Sequence, residues 1–418
     1  MKKIALLSFV ASGVLMAGGY KIPETSLNSV ALSAANVAHT TGADAAYYNP
    51  ANMIFMDNGH TLETDLMYIG LDAPNYKGSA SLNGTSLGSH DIDGERENFL
   101  IPSLHYVSPV IDGARFGLSI VAPGGLTKRW GDSVATYSAE EFTLEVIEVN
   151  PSIALPIGDK LAIAIGIRMV YSDGVVKSTS PSSARDMTGD SIDFGYNLAL
   201  SYKPTDNIDF AITYRSNIDL TVEGDADLAY TDFAGSFTPF TGMPAGTAYT
   251  SYSDAEVDVP LPALLNVALA YTFATKTTVE FVYERNFWHS YSSLDFNYPG
   301  NSNFVTNYVF GSNIEKSWDD TDVFRIGITQ ELDNWSLMGG VLIDETPVPE
   351  STVGFELPDS DSVSVSMGAR YQYNDKINIG LAALYSMRDD RTINNTDLSG
   401  EFSNTNVLII SAGLEYKF

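Results

Sequence analysis

The sequence predicts an all-β protein: a transmembrane antiparallel β-barrel of about fourteen strands with a small N-terminal plug inside its lumen. Three observations predict it. Long segments alternate apolar and polar residues with period two and keep uncharged apolar faces along their length, as lipid-facing barrel strands do. Short turns alternate with long loops rich in Gly, Ser, Asn and Asp between these segments. Beyond the first residues no window reaches the roughly 18 uninterrupted apolar residues of a membrane helix.

The N-terminus, MKKIALLSFVASGVLMA, places Lys2 and Lys3 ahead of an apolar run from Ile4 to Ala17. That is the pattern of a secretory leader, too short for a spanning helix. Cleavage is expected after Ala17, which divides the chain into a signal peptide 1–17, a plug 18–58 and a barrel 59–418. Within the plug, SLNSVALSAANVAH reads as a weakly amphipathic helical segment through Leu27, Val30, Ala31, Ala34 and Ala35. TTGADAAYYNPANM follows and is loop-like around Asn49 and Pro50. Some forty residues cannot build a core of their own, so they are expected to bury themselves inside the barrel.

Strands are expected near 59–70, 97–108, 114–123, 141–157, 160–179, 190–203, 206–223, 254–274, 276–297, 317–332, 334–345, 361–374, 376–390 and 402–418. In the last, Leu408, Ile410, Ala412, Leu414, Tyr416 and Phe418 share one face. The same dyad repeats in Val363, Val365, Met367, Ala369, Tyr371 and Tyr373, and again in Ile208, Phe210, Ile212 and Tyr214. The fourth strand has a break in phase near Glu148. Six short turns (PVIDG, PIGDK, KPTDN, ATK, LDN and YNDK) against seven long loops put both termini on one side of the membrane, the periplasmic one. Closure follows from the solvent, since an open sheet edge in hydrocarbon leaves backbone groups unpaired at several kcal/mol each.

One strand is interrupted. Phe116, Leu118, Ile120 and Ala122 alternate as wall residues should, and then Pro123, Gly124 and Gly125 arrive. Proline removes a ladder donor and the glycines tolerate unusual backbone angles. The stretch is either a bulge, the strand's exit into a loop, or a break in the wall.

Composition narrows the function. With 52 acidic against 23 basic residues and a net charge of −29, nucleic acid is excluded as a partner. The acidity fits a solvated surface or divalent-ion bridging to surface polysaccharide, the first being preferred. The chain has no cysteine, hence no disulfide and no thiol chemistry. His39, His60, His90, His105 and His289 lack metal-ligand spacing, and no Ser/His pairing supports hydrolysis. No cofactor, metal or catalytic residue is expected.

The chain resembles the FadL family of outer-membrane transporters for long-chain fatty acids and other hydrophobic compounds. YYNPANM matches the family's Asn-Pro-Ala motif at Asn49, Pro50 and Ala51. SLHYVSPV followed by FGLSIVAPGGL is similar to its second and third strands, and ITYRSNIDLTVEGD to its Thr-Tyr-Arg-Ser strand. FRIGITQELDNWSLMGGVLIDETPVPESTVGFELPDSDS carries the most specific match. The resemblance implies passive uptake of a hydrophobic molecule into a plugged barrel in the bacterial outer membrane, with sideways release at a break in the third strand.

It makes Pro123, Gly124 and Gly125 the candidate lateral gate, and Asn49, Pro50 and Ala51 the candidate anchor of the plug. Gly19, Tyr20 and Ile22 match the segment that touches ligand in the family. Phe233, Phe237, Phe240 and Met243 form an apolar loop cluster suited to capture. The expected partners are a hydrophobic small molecule, outer-membrane lipid and surface polysaccharide, and the expected state is a monomer.

Two departures bear on the ligand. The connection between the fifth and sixth strands, about TSPSSARDMTG, is short and polar, and the position of a family lysine is Thr321. Without such a charge partner for a carboxylate, neutral or aromatic hydrocarbons come into view beside fatty acids. The alternative transport reading is an aqueous porin; a third class is an enzyme or adhesin working through acidic loops.

Overall fold

The computed structural model describes residues 18–82, 84–131, 134–231, 247–301, 304–311 and 313–418. Its wall strands are β1 (Thr61–Leu71), β2 (Glu97–Val107), β3 (Arg115–Val121, resuming as Gly125–Arg129) and β4 (Glu141–Ile157). Next come β5 (Leu161–Thr179), β6 (Ser183–Thr205), β7 (Ile208–Arg215, resuming as Ile218–Thr231) and β8 (Thr247–Leu261, resuming as Ala263–Thr272). The last six are β9 (Thr277–Phe287), β10 (Thr321–Glu331), β11 (Trp335–Asp344), β12 (Ser362–Asn374), β13 (Ile377–Arg388) and β14 (Val407–Lys417). Each pairs antiparallel with its chain neighbour, and β1 pairs with both β2 and β14. The sheet therefore closes on itself as a barrel.

The alternation read from the sequence is the in/out alternation of this wall. Leu408, Ile410, Leu414 and Tyr416 face outward while Val407, Ile409 and Ser411 are buried. Ile163, Ile165, Ile167 and Met169 on β5 continue the outward apolar band, flanked at the short-turn side by Tyr202, Tyr271, Phe273, Trp335, Tyr416 and Phe418. Such a girdle marks the interface of a membrane barrel. At the opposite end, Asn75–Leu82 and Thr85–Asp93 join Arg391–Asn394 and Leu398–Ser403 in a separate four-stranded sheet.

Several expected boundaries move. The strand expected at 190–203 begins at Ser183, leaving only residues 180–182 between β5 and β6. Polar Ser, Thr and Asp residues read as loop there because a hairpin beyond the membrane needs no apolar face. The expected phase break near Glu148 is absent. The β4–β5 register runs on one alignment from Glu141↔Lys177 to Ile157↔Leu161, and Glu148 points inward.

Residues 18–58 lie inside the wall. Helix α1 (Leu27–Ala31) packs on β12, β13 and β14, while the 3-10 turn Pro50–Phe55 packs on β4, β5 and β6 across the lumen. Ser26 caps α1 in a reciprocal box with Ser29. The helix is shorter than its sequence pattern suggests because Ser33 and Ala34 take positive φ, 51° and 59°. It also lies unusually close to the wall: a Cβ on Gly340 of β11 would stand 2.3 Å from the carbonyl carbon of Leu32. The chain's own N-terminal segment occupies part of the lumen.

Candidate functional site at the break in β3

Pairing between β1 and β2 runs the full length of both strands, from Thr61↔Val107 to Leu71↔Glu97. Pairing between β2 and β3 stops after Leu104↔Ile120. Residues 97–103 of β2 therefore have no partner on β3. On the other side, β3 stays with β4 but slips. From Val121↔Glu148 to Gly125↔Glu145 it advances four residues against three. The extra residue lies within Ala122, Pro123 and Gly124, all buried. The break is thus an inward bulge, with the wall unpaired on the β2 side only.

Freed backbone groups must find partners at this depth. Two of those on the bulge find them on the N-terminal segment. The Ile22 N–H donates to the Pro123 carbonyl at 2.9 Å, and the Gly125 N–H donates to the Tyr20 carbonyl at 2.8 Å. Lys21 and Gly124 are the antiparallel partners between these bonds. Residues 20–22 therefore act as a short extra strand laid on the bulge from inside. A Cβ on Gly124 would lie 3.1 Å from the Tyr20 oxygen and 3.2 Å from Leu261 Cδ2, so glycine permits the close approach.

The segment is braced against the far wall. The Tyr20 hydroxyl donates to the Pro260 carbonyl on β8, and its ring meets Trp288, Tyr291 and Trp318 edge-on or tilted, at centroid distances of 5.0, 6.1 and 5.7 Å. Lys21 pairs with Glu284 on β9 and donates to Asn286 at 2.8 Å. Arg325 on β10 reaches the same Glu284 at 2.9 Å. Gly19 takes φ +80°, where a Cβ would stand 2.7 Å from the Trp318 ring and 2.8 Å from that of Trp288. Glu24 is fully buried, and neither of its carboxylate oxygens has a hydrogen-bond partner among the described residues. Burial pushes its carboxyl from 4.5 up to about 7, against the opposing pull of Arg325 and Lys21.

Behind the bulge lies a cavity of about 60 Å³ lined by Ile22, Tyr47, Pro123, Leu261, Pro262 and Leu264, among others. Each cation on its lining is held in an ion pair: Lys21 shares Glu284 with Arg325, and Arg168 and Arg215 share Glu148. Toward the short-turn side sits a polar cavity of about 460 Å³, lined by residues such as Asn28, His39, Asn52, Lys203, Arg370 and Glu415.

The Asn49-Pro50-Ala51 turn ties the plug to the wall. Asn49 Nδ2 donates to the Val37 carbonyl at 2.7 Å and to Ser201 Oγ on β6 at 2.9 Å. Ser201 in turn donates to Asn52 Oδ1 at 2.7 Å. Pro50 opens the 3-10 turn, where a missing N–H costs nothing.

Several anchors lay outside the sequence reading. Arg115 on β3 donates to the carbonyls of Ser108, Met53, Met56, Asp57 and Gly59 at 2.8–3.1 Å. Glu280 accepts the N–H groups of Val37, Ala38 and His39. Arg370 spans Glu63 and Asn28. Each is a charged residue on an inward face, which a solvated lumen would suit equally well, so the sequence alone carries no signal for it. The loop cluster Phe233, Phe237, Phe240 and Met243 lies outside the described residues.

A family described as outer membrane protein transport protein (OMPP1/FadL/TodX) matches residues 8–418. The long-chain fatty acid transport protein of Escherichia coli O6:H1 is 23% identical over 367 residues, 81% of this chain and 79% of that protein. Outer membrane protein P1 of Haemophilus influenzae is 19% identical, covering 91% and 88%. Among solved structures, a Pseudomonas aeruginosa FadL homologue superposes with TM-score 0.81 at 19% identity, covering 96% of this chain and 100% of its own. The Pseudomonas putida toluene transporter TodX gives 0.73 at 16%, covering 96% and 99%.

Proposed function

This chain belongs to the outer membrane transport protein family of OMPP1, FadL and TodX, and from that premise we propose that it carries hydrophobic small molecules inward across the bacterial outer membrane by diffusion, releasing them sideways through the break in β3. The observation that carries the lateral route is the unpaired edge of β2 opposite a bulge whose Pro123 carbonyl and Gly125 N–H are hydrogen-bonded by residues 20–22. Withdrawal of that segment opens the wall at one place while β3 stays anchored on β4. A sideways exit also suits the cargo. Apolar surface costs about 25 cal/mol per Å² in water, and the way toward the short-turn side leads through a polar cavity.

In this reading Phe233, Phe237, Phe240 and Met243 capture the ligand. Gly19, Tyr20 and Ile22 touch it at the seal, Pro123, Gly124 and Gly125 form the gate, and Asn49, Pro50 and Ala51 hold the rest of the plug still. The short, polar connection between β5 and β6 and Thr321 in the place of a family lysine favour a neutral ligand over a carboxylate. The signal peptide 1–17 is removed on export. The outward apolar band meets outer-membrane lipid. Surface polysaccharide meets the outward row Glu145, Asp173, Asp190, Glu223 and Glu256, successive register partners on β4 to β8. The chain works as a monomer.

The test is uptake of a labelled monoaromatic hydrocarbon and of a labelled long-chain fatty acid by cells lacking other such transporters. Hydrocarbon uptake that requires this chain and saturates at lower concentration than fatty acid is expected. Uptake of neither removes the transport reading, and preference for the acid removes the ligand assignment.

A further inference from the structure

Asp344, the last residue of β11, is 1% exposed, and neither of its carboxylate oxygens has a hydrogen-bond partner among the described residues. A buried carboxylate left this way is costly, and the cations nearby are engaged elsewhere. Lys21 and Arg325 are bound to Glu284, and Arg388 to Asp359. What faces Asp344 is backbone. A Cβ on Gly18 would stand 2.9 and 3.2 Å from its two oxygens, so the backbone of Gly18 is packed against this carboxylate. The next residue is already fixed, for the Gly19 N–H donates to Asp359 Oδ2 at 3.2 Å.

We propose that Asp344 is the receptor for the free α-ammonium of Gly18, created when the leader is cut, and that this ion pair locks the end of the sealing strand. This rests on the reading of residues 1–17 as a cleaved leader and of residues 20–22 as the seal. The cut is a peptide hydrolysis by a leader-directed protease. Water adds to the Ala17 carbonyl carbon, the C–N bond to Gly18 breaks, Ala17 leaves as a carboxylate, and the released amine takes a proton. An amide N–H at Gly18 offers one donor and no charge. An ammonium offers three donors and the charge that Asp344 lacks. The sequence supports the fit: Gly18 carries no side chain that would stand between its own amine and the carboxylate. Processing would thereby be read out as a seated gate, so that an unprocessed chain fails to close the break in β3.

The experiment uses the mature protein purified in detergent. Its N-terminus is sequenced, and amines are then acylated at pH 8 and mapped by peptide mass spectrometry. The expected N-terminus is Gly18, with its α-amine acylated at least tenfold more slowly than that of a free peptide of the same sequence. Asp344→Asn, and separately a chain with one extra Ala ahead of Gly18, should both recover the free-peptide rate while keeping the heat-modifiable gel shift of a closed barrel. A different N-terminus, a wild-type amine acylated at the free rate, or an Asp344→Asn amine as slow as wild type overturns the proposal. None of these readouts depends on uptake, so failure of the lateral route and failure of the ammonium site are distinguishable.

Discussion

Replacing Gly124 by valine tests the seal at its tightest point. A Cβ there would meet the Tyr20 carbonyl at 3.1 Å and Leu261 Cδ2 at 3.2 Å, before the two methyls of valine are placed. The Tyr20 carbonyl belongs to the strand that closes the break, so residues 20–22 must lift. Lifting forfeits the Gly125–Tyr20 and Ile22–Pro123 hydrogen bonds, about 1 kcal/mol each. It also exposes part of Tyr20 and Ile22, each 1% exposed in place, where full exposure would cost about 1.5–3 kcal/mol per side chain. The hydrogen bonds alone shift the closed-to-open ratio by about 2 kcal/mol, close to 30-fold. Hydrogen exchange followed by mass spectrometry reads this at the Ile22 and Gly125 amides, which should exchange about 30-fold faster or more in Gly124→Val. Strands distant from the break should keep their rates. Unchanged exchange at those two amides would refute the idea that residues 20–22 satisfy the backbone of the bulge.

Two further outcomes follow from the anchors. Arg115→Ala strips the charged donor from five carbonyls and should loosen the end of the plug by about 3 kcal/mol or more. The check is faster exchange over residues 50–59 in a barrel that still shows its heat-modifiable shift, with Arg115→Lys recovering only part of the protection. Glu24 makes closure depend on pH. Its pKa is about 7 when buried and 4.5 ordinarily, so between these values the closed state binds the extra proton. Its favourable share is complete below about 4.5 and is lost as pH rises through 7, at most about 3 kcal/mol in all. The protection factor of the Ile22 amide, its exchange corrected for the intrinsic rise with pH, should therefore fall across that window, and Glu24→Gln should flatten the dependence.

How much of this was legible beforehand follows from physical range. The wall was legible because lipid outside and plug inside impose a period-two pattern that local sequence must carry, as in Leu408 to Phe418. Strand ends beyond the membrane were not, because Ser183 to Gly189 bear no apolar face and hydrogen bonding alone extends them. The interruption at Pro123 to Gly125 was visible as backbone chemistry, yet its occupant was not. Residues 20–22 are some hundred positions away in sequence, and nothing local says that Tyr20 donates to Pro260. Glu148 looked like a fault in a strand because its partners, Arg168 and Arg215, come from two other strands. Arg115, Glu280 and Asp344 were overlooked for the same reason: a single buried charge is meaningful only once its neighbours are known.

The most direct test of the account is a disulfide between positions 21 and 124. As antiparallel partners flanked by the two hydrogen bonds, their Cα atoms sit at the roughly 4.5 Å of a non-hydrogen-bonded pair, within disulfide range. The chain has no cysteine of its own, so Lys21→Cys with Gly124→Cys can form only this bond. The Cβ introduced at position 124 makes the same 3.1 Å contact with the Tyr20 carbonyl, but the covalent bond holds residues 20–22 in place. The oxidised protein should therefore fold as a closed barrel and lose uptake of hydrophobic solute, and reduction of the same sample should restore it. Equal uptake before and after reduction, with the disulfide confirmed by mass, would contradict a route through the break in β3.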